Sequence, residues 1–388
     1  MYIYRFLEKE LNKYLKKREI IAVVGARQCG KTTTLKHIFN NLKNAIFIDF
    51  EDRETLELFN EDIKSFIDLY VKNYSYLFID EFQYAKEGGK NLKYIYDNYK
   101  TKLIISGSSV SGLSIQSIKY LVGRIFVFNL YPFSFEEYLS YKEPNLYNNI
   151  YLKRKLSKPI IEKIIPYFEE FCVFGGYPRV VLSKSKEEKE TILKNIYNTY
   201  LLKEIKEILN LPEEYKLSKL IHALSLQVGN MINYNEILDI TGFNYKDLLN
   251  YMSILDKTFV TIRSQPYYTN KRTELVKVPK IFFVDNGFRN IIIKNFQSVR
   301  DRQDKGELYE NFVASEIIKT GNEVKYWRTK AKAEIDFIIE KNSKIIPIEV
   351  KSDLKRAKFT KSFLSFLEKY KTRRGLVLSE RLFDETSK

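Results

Sequence analysis

The stretch that most constrains the fold of this chain is Val23 to Thr33, which reads Val-Val-Gly-Ala-Arg-Gln-Cys-Gly-Lys-Thr-Thr. From Gly25 to Thr32 it fits the pattern G-x-x-x-x-G-K-[ST]. An apolar run, Ile20 to Val24, precedes the pattern and a helical segment, Thr32 to Leu42, follows it, which is the context that a phosphate-binding loop requires. The sequence therefore predicts a buried strand, a loop that binds nucleotide phosphates, and a helix.

The chemistry of this loop follows from its residue types. The two glycines let successive backbone N–H groups point inward, which forms an anion site at the N-terminus of the helix. Lys31 is expected to reach the β- and γ-phosphates, and the hydroxyl of Thr32 to ligate Mg²⁺. The predicted nucleotide-binding residues are Gly25, Ala26, Arg27, Gln28, Cys29, Gly30, Lys31, Thr32 and Thr33.

A second acidic feature indicates what happens to the nucleotide. The predicted strand Tyr76 to Ile79 ends in Asp80 and Glu81. A carboxylate at this position is expected to hold Mg²⁺, and the Glu directly after it to polarise the attacking water, so we assign Asp80 to the metal and Glu81 to the base. We expect an additional strand between the loop strand and this acidic strand, as in ATPases. Because no Asn-Lys-x-Asp guanine-binding motif is present, ATP is favoured over GTP.

Two further positions in this region are candidates for sensing the nucleotide. The strand Lys102 to Ile105 ends in a serine-rich turn, in which either Ser106 or Ser108 is the sensor. Arg124 precedes the strand Ile125 to Phe128, where an arginine can project toward the nucleotide of a neighbouring subunit and neutralise transition-state charge. That role implies a homo-oligomer. The alternative is an arginine that bonds the end of a helix.

The amino-acid composition of the chain indicates which binding partners and which cellular location to expect. Lys and Arg number 65 against 49 Asp and Glu, a formal net charge of +16 that favours a polyanion such as DNA, although a basic proteome also produces this surplus. No apolar run approaches the roughly 20 residues of a membrane helix. The two cysteines lack the spacing of a zinc site or a disulfide framework, which fits a reducing cytoplasm.

The middle of the chain predicts a helical lid followed by a winged helix. We expect a loop or an insertion at Lys142 to Pro159. Beyond residue 211 come three helices and two strands, with a tight turn at Thr241 to Asn244 between the second and third helices, which is typical of a helix-turn-helix. The third helix, Tyr245 to Lys257, either enters the major groove of DNA or packs against protein. Expected phosphate contacts from the wing are Arg263, Lys271 and Arg272.

The C-terminal segment contains a predicted hairpin, Glu334 to Ile339 and Ile345 to Lys351. A two-residue loop at Asn342 and Ser343 would put Asp336 directly opposite Glu349. Two facing carboxylates destabilise a sheet unless a cation lies between them, so we predict a divalent metal bound by both. Lys351 lies on the same face of its strand as Glu349, and Glu310 on the preceding helix is a candidate third carboxylate.

Several motifs together resemble one family. The phosphate loop, Phe-Ile-Asp-Glu, Ser-Gly-Ser-Ser, Leu130 to Tyr138, Phe174 to Arg179 and Lys277 to Gly287 resemble the archaeal and bacterial AAA+ ATPases on the STAND-related, signal-transduction side of the superfamily. The resemblance implies that the Gly-Gly-Tyr-Pro turn belongs to the helical lid over the adenine. It further implies that Pro178 and Arg179 lie near the nucleotide, with Arg179 a possible second sensor.

Glu310, Asp336 and the Glu-Val-Lys run from Glu349 to Lys351 resemble the PD-(D/E)XK restriction-endonuclease-like fold. This resemblance implies Mg²⁺-dependent DNA cleavage, with Asp336 and Glu349 as ligands and Lys351 stabilising the developing charge. The predicted α/β architecture is an AAA+ type parallel sheet (residues 1–140), a helical lid (141–211), a winged helix (212–300) and the nuclease-like domain (301–388). Such a chain hydrolyses ATP and acts on DNA; the alternative is a STAND-like ATPase signalling switch that binds a partner or nucleic acid without cutting.

Overall fold

The chain divides into two compact units in a computed structural model. The first comprises Met1–Pro132 with Lys257–Phe259, and the second Phe133–Asp256 with Val260–Lys388. No helix among the described residues is long and apolar enough to cross a membrane. The structure describes residues 2–108, 119–152, 157–206, 211, 213–270, 272, 274, 277–341, 344–352, 354, 359–372 and 374–380.

A five-stranded parallel sheet forms the centre of the first unit, in the order β2-β3-β4-β1-β5. Every residue of β1 and β4 is buried, as expected for strands covered on both faces. The strand β4 lies between the loop strand β1 and the acidic strand β3, which confirms the expected additional strand. The five strands are β1 (Ile20–Gly25), β2 (Ala45–Asp49), β3 (Tyr76–Asp80), β4 (Lys102–Ser108) and β5 (Ile125–Leu130).

Helices pack on this sheet through apolar side chains. Leu35 and Ile38 of the helix after the phosphate loop share one buried cluster with Val23, Phe78 and Ile104 of three neighbouring strands. Because these strands are parallel, their carboxyl ends meet at one edge of the sheet. The helices of this unit are α1 (Phe6–Tyr14), α2 (Lys31–Phe39), α3 (Arg53–Glu61), α4 (Ile63–Tyr70) and α5 (Gly88–Asn98).

The second unit begins with helices, and one of them corrects a prediction. The expected loop at Lys142 to Pro159 contains the short helix Pro144–Tyr147 and a wider helical turn, Asn148–Leu152. Pro144 begins the helix because proline is tolerated at the first helical position, where its missing N–H is not needed. The helices are α6 (Phe135–Lys142), α7 (Pro144–Tyr147), α8 (Lys158–Phe174), α9 (Pro178–Leu182), α10 (Lys186–Ile196), α11 (Glu214–Leu226), α12 (Tyr234–Thr241), α13 (Tyr245–Lys257), α14 (Asn286–Ile292), α15 (Lys305–Lys319) and α16 (Lys361–Tyr370).

A six-stranded sheet in this unit has the order β11-β10-β9-β8-β6-β7. The antiparallel ribbon of β6 and β7 follows the three helices α11 to α13, as the winged-helix prediction requires. However, β6 also pairs in parallel with β8, so one sheet crosses the predicted boundary at residue 300. The strands are β6 (Thr261–Pro266), β7 (Lys280–Phe283), β8 (Lys325–Arg328), β9 (Glu334–Lys341), β10 (Lys344–Lys351) and β11 (Leu376–Ser379).

The Gly-Gly-Tyr-Pro turn is held by the start of α14. The Asp285 carboxylate accepts hydrogen bonds from the Gly176 N–H at 2.7 Å and from the Phe288 N–H at 2.9 Å. Gly287 lies so close to the preceding helix that a Cβ there would be 1.9 Å from the carbonyl oxygen of Phe174. The Gly-Gly-Tyr-Pro turn and the start of α14 are therefore tied together by one buried carboxylate and one close backbone approach.

We predict that Gly287→Ala lowers the free energy of unfolding by at least ~2 kcal/mol, because the added methyl must displace backbone. Gly306→Ala is the matched control, since nothing lies within 4 Å of a Cβ at that helical position. Denaturant unfolding can be followed by the fluorescence of Trp327, which is 1% exposed. Equal stability of the two variants would contradict the close approach.

Candidate active sites

The phosphate loop has the backbone shape that the sequence predicts, but one glycine acts differently. Gly30 has a φ of 97° and Gln28 a φ of 60°, both in the left-handed region. At Gly25 a glycine is required by the lack of space for a side chain and not by a positive φ. A Cβ there would lie 2.1 Å from the Leu130 carbonyl oxygen. Ala26 and Cys29 are buried, and the Cys29 thiol donates to the Leu130 carbonyl oxygen at 3.3 Å. Burial raises the pKa of the Cys29 thiol.

The side chain of Lys31 is held by two backbone carbonyl oxygens in a position from which it can bind an anion. Its side chain is almost fully buried, and Nζ donates to the carbonyl oxygens of Gly25 and Ala26, each at 3.0 Å. An ammonium group has three N–H donors, so one remains for a phosphate oxygen. Thr32, directly after it, is partly buried, whereas Thr33 is exposed.

Arg5 supports the loop from the N-terminal segment, and sequence reasoning missed it. Its buried guanidinium donates to the Cys29 carbonyl oxygen at 2.9 Å and to the Tyr131 carbonyl oxygen at 2.6 Å. The phosphate loop is thus anchored to the segment after β5. No signal in the sequence distinguishes this arginine from the other charges of its amphipathic segment.

Asp80 lies at the carboxyl end of β3 and is 1% exposed. Its Oδ1 accepts from the Glu81 N–H at 3.1 Å and from the hydroxyl of Ser106, whereas Oδ2 is buried without a hydrogen-bond partner. A buried carboxylate oxygen without a partner fits a metal ligand, since hard cations take oxygen ligands. With the Thr32 hydroxyl as a second oxygen, these residues fit Mg²⁺.

Gln83, whose role the sequence analysis did not predict, hydrogen-bonds to Glu81, the predicted base. Glu81 has a φ of 50°, and its side chain accepts from the Gln83 amide nitrogen. The Gln83 amide oxygen accepts from the Ser108 N–H at 3.2 Å. Of the two candidate sensors, the Ser106 hydroxyl therefore contacts Asp80, whereas the Ser108 backbone is linked to Glu81 through Gln83.

Arg124 makes the contact that the alternative interpretation describes. Its Nε donates to Asp97 near the end of α5 at 2.9 Å, and its Nη2 to the same carboxylate at 3.4 Å. The Arg124 carbonyl oxygen accepts from the Ile20 N–H at the start of β1. Arg124 therefore lies at the end of β1 that is remote from the phosphate loop of its own chain. A role between subunits stays a prediction. In the second unit, Pro178 is the first residue of α9 and Arg179 is exposed, and their nearness to the nucleotide also stays a prediction.

The register of the C-terminal hairpin is as predicted. Ile348 pairs with Phe337 and Lys344 with Lys341, which places Asp336 opposite Glu349; the turn residues 342 and 343 lie outside the described part of the chain. The Val350 N–H donates to Asp336 Oδ2 at 2.8 Å. Burial raises the pKa of Asp336, opposed by the Val350 hydrogen bond.

Glu349 and Lys351 form an ion pair on the neighbouring strand. Lys351 Nζ lies 2.9 Å from Glu349 Oε1, and the Thr360 hydroxyl donates to Glu349 Oε2 at 3.0 Å. Burial lowers the pKa of Lys351, but the hydrogen bond that its ammonium donates to Glu349 and the nearby carboxylate charges outweigh burial, so the net shift of the pKa is upward. The lysine therefore stays charged beside the two facing carboxylates.

Glu310, on helix α15, lies close enough to Asp336 to feel its charge. Burial, followed by the charge of Asp336, raises its pKa to about 8. Its Oε2 is buried without a hydrogen-bond partner. Among the described residues, no group of three or more His, Cys, Asp or Glu side chains could hold a metal ion. The carboxylate oxygens of Glu310, Asp336 and Glu349 are nevertheless of the donor type that hard divalent cations take.

Lys280 is a further charged residue beside these carboxylates, and the sequence analysis did not single it out. This residue of β7 is 3% exposed, and its Nζ lies 2.5 Å from Glu334 Oε1 and 3.8 Å from Glu310 Oε2. Arg328 binds the other oxygen of Glu334 at 3.2 Å. The signal that could have found Lys280 is its place at the start of an apolar strand, where a lysine is otherwise expected to be exposed.

The basic residues expected to contact phosphate from the wing are differently placed. The Arg263 side chain is bound to the Asp256 carboxylate, so it is already paired. Arg272 is exposed, and Lys271 lies outside the described residues. Asp256, near the end of α13, accepts hydrogen bonds from Arg263 and from the Thr261 hydroxyl.

Comparison with known proteins identifies the first of these regions. Residues 17–139 match the AAA domain family. This segment is therefore similar to AAA domains over about a third of the chain. After the AAA domain, residues 165–299 and 305–387 match two families, each described as a domain of unknown function, DUF8612 and DUF4143.

Two relatives match most of this chain. The chain is 25% identical to an uncharacterized protein of Haemophilus influenzae, covering 95% of this chain and 90% of the relative. It is 24% identical to the uncharacterized protein MJ1544 of Methanocaldococcus jannaschii, covering 86% and 75% of the two chains. The region shared with these relatives therefore extends well beyond the AAA domain.

Solved structures give weaker likenesses. The Walker-type ATPase of Pyrococcus abyssi has a TM-score of 0.46 and 16% identity, covering 75% of this chain and 96% of that one. A STAND protein of Pyrococcus horikoshii with a tetratricopeptide repeat sensor has a TM-score of 0.30 and 15% identity, covering 82% and 46%. Likenesses of this size do not establish a shared overall fold.

The raised pKa of Glu310 predicts a pH-dependent cost of folding. The folded group ionises near pH 8 and the unfolded group near its ordinary value of 4.5, so stability falls as pH rises between these values. Relative to the wild type, Glu310→Gln should therefore gain on the order of 2 kcal/mol between pH 5 and pH 9 in EDTA, measured by denaturant unfolding. Glu323→Gln, whose side chain is 85% exposed in the original, is the control. A wild-type to variant difference that is independent of pH would contradict the burial of this charge.

Proposed function

We propose that the chain binds and hydrolyses ATP through its AAA domain and cleaves DNA with Mg²⁺ at the acid cluster formed by Glu310, Asp336, Glu349 and Lys351. The single observation that carries the first part is the buried Asp80 oxygen without a partner at the same sheet edge as the phosphate loop. The formal net charge of +16 supports a polyanionic substrate for the second part. A cytoplasmic location fits the two free, buried cysteines.

In the AAA domain, Lys31 donates its remaining N–H to the terminal phosphates, and the N-terminus of α2 supplies backbone N–H groups. Thr32 and Asp80 would hold Mg²⁺, which neutralises charge that develops on the phosphates. Glu81 takes the proton of the attacking water, and Gln83 orients the Glu81 carboxylate for this step.

Lys31→Ala should abolish ATP binding and hydrolysis while the protein stays folded, because it removes the only lysine of the loop. Calorimetric titration with ATP and phosphate release measure the two effects. Lys36→Ala is the matched control, since Lys36 is exposed on the same helix. Normal ATPase rates in the Lys31 variant would refute the nucleotide assignment.

In the acid cluster, Asp336 and Glu349 would hold Mg²⁺, with Glu310 as the third carboxylate. The chemistry that Mg²⁺ would supply there is a bound water of lowered pKa, which would be the nucleophile for phosphodiester hydrolysis. Lys351 faces the same site and stabilises negative charge that develops on the phosphate oxygens. Hydrolysis of ATP biases a conformational equilibrium and is not needed for the cleavage itself.

Lys351→Ala should lose Mg²⁺-dependent nicking of plasmid DNA by at least ~100-fold and retain ATPase activity. Lys344→Ala is the control, because Lys344 is exposed at the start of the same strand. Branched, single-stranded and duplex DNAs should be tested alongside the plasmid. Nicking that survives in the Lys351 variant would contradict its role.

A second candidate is a STAND-like ATPase switch whose C-terminal segment binds a partner or nucleic acid without cutting. The favouring observation is that Lys280 already provides a cation to the acid cluster. Absence of nicking by the intact protein on every DNA, with ATPase activity present, supports this candidate. Sizing with and without ATP tests whether Arg124 acts between subunits of a homo-oligomer.

A further inference from the structure

Lys280 connects two segments that match different families. It belongs to β7, near the end of the region 165–299, yet its ammonium lies among carboxylates of the region 305–387. The contacts are Glu334 Oε1 at 2.5 Å, Glu310 Oε2 at 3.8 Å and the face of the Tyr326 ring, with Nζ 5.6 Å from the ring centroid. The acid cluster is therefore built from both segments.

The surroundings keep this ammonium in place. The Tyr326 hydroxyl donates to the Val278 carbonyl oxygen at 2.6 Å, which fixes the ring beside Lys280. On the other side, the backbone of Gly229 approaches Glu310, since a Cβ there would be 3.1 Å from Oε2. With only 3% of its side chain exposed, Lys280 is neutralised by carboxylates and not by water.

The carboxylates around Lys280 differ in the number of cations and hydrogen-bond donors that bind them. Glu334 is bound by both Lys280 and Arg328, and Glu349 by both Lys351 and Thr360. Among the described residues, Glu310 has one ion-pair contact, the loose one with Lys280 at 3.8 Å, and Asp336 has none, although the charges of Lys280 and Lys351 oppose the rise in its pKa. Neutralisation by cations is therefore least complete between Glu310 and Asp336, whereas Glu334 is already paired with two cations.

We propose that Lys280 is a positioning residue that takes the place of a second metal ion, so that the acid cluster binds one divalent cation. This inference rests on the proposed function of the cluster as a metal site. Two-metal sites hold their ions roughly 3.5–4 Å apart between shared carboxylates, and a permanent cation beside Glu310 excludes the second ion by repulsion. Lys280 acts through Glu310 and Glu334 and does not touch the substrate.

The test is calorimetric titration of Mn²⁺ into the nucleotide-free full-length protein, with Asp336→Asn as the reference that lacks the site. The wild type should bind one Mn²⁺ that the reference does not bind. Lys280→Met should bind a second Mn²⁺, or the first at least tenfold more tightly, because one positive charge is gone. Lys280→Arg keeps the charge and should match the wild type.

Glu334→Gln provides a second test if Lys280→Met does not fold. Loss of this carboxylate leaves the ammonium to neutralise Glu310, so Mn²⁺ should bind at least threefold more weakly. A wild type that binds one Mn²⁺, with Lys280 and Glu334 variants that bind it identically, overturns the inference alone. A wild type that binds no Mn²⁺ removable by Asp336→Asn overturns the proposed metal site, and the inference with it.

Discussion

The pairing of β4 between β1 and β3 is the constraint on which the first candidate site depends. Because all three strands are parallel, the phosphate loop, Asp80 and Ser106 emerge at the same edge of the sheet. Each strand is buried along its apolar run, so a slip in register would expose apolar side chains and separate these polar ends. The core therefore fixes the geometry of the site, and loop residues such as Arg5 and Gln83 refine it.

A comparable constraint operates in the second unit through antiparallel pairing. The register of β9 and β10 puts Asp336 and Glu349 side by side, and it is enforced by the buried face that includes Ile335 and Ile338. Pairing of β6 with β8 then brings the middle segment to the same sheet. As a result, a lysine from one segment reaches acids of another.

The parts of this structure that sequence reasoning predicted are those specified locally. Apolar runs predicted the strands β1, β3, β4 and β5 of the first sheet. The spacing of the two C-terminal strands predicted the register that faces Asp336 with Glu349. Lys280 was missed because its carboxylate partners lie on distant segments. Its place at the start of an apolar strand marks the lysine as unusual but does not identify those partners. Gly25 was assigned to backbone freedom, although the carbonyl oxygen of Leu130, far along the chain, is the group that requires it.

Both candidate sites share one energetic feature, a buried carboxylate oxygen without a hydrogen-bond partner. Asp80 Oδ2 and Glu310 Oε2 each lose their hydration on folding and gain no donor in exchange. Such a cost persists only where the surrounding core supplies enough stability to hold the group in place. A cation that binds either oxygen recovers this cost, and because it binds only the folded chain, it also stabilises the fold. Ligand binding and stability are therefore coupled at each site by the same physical cause, the incomplete satisfaction of a buried acid.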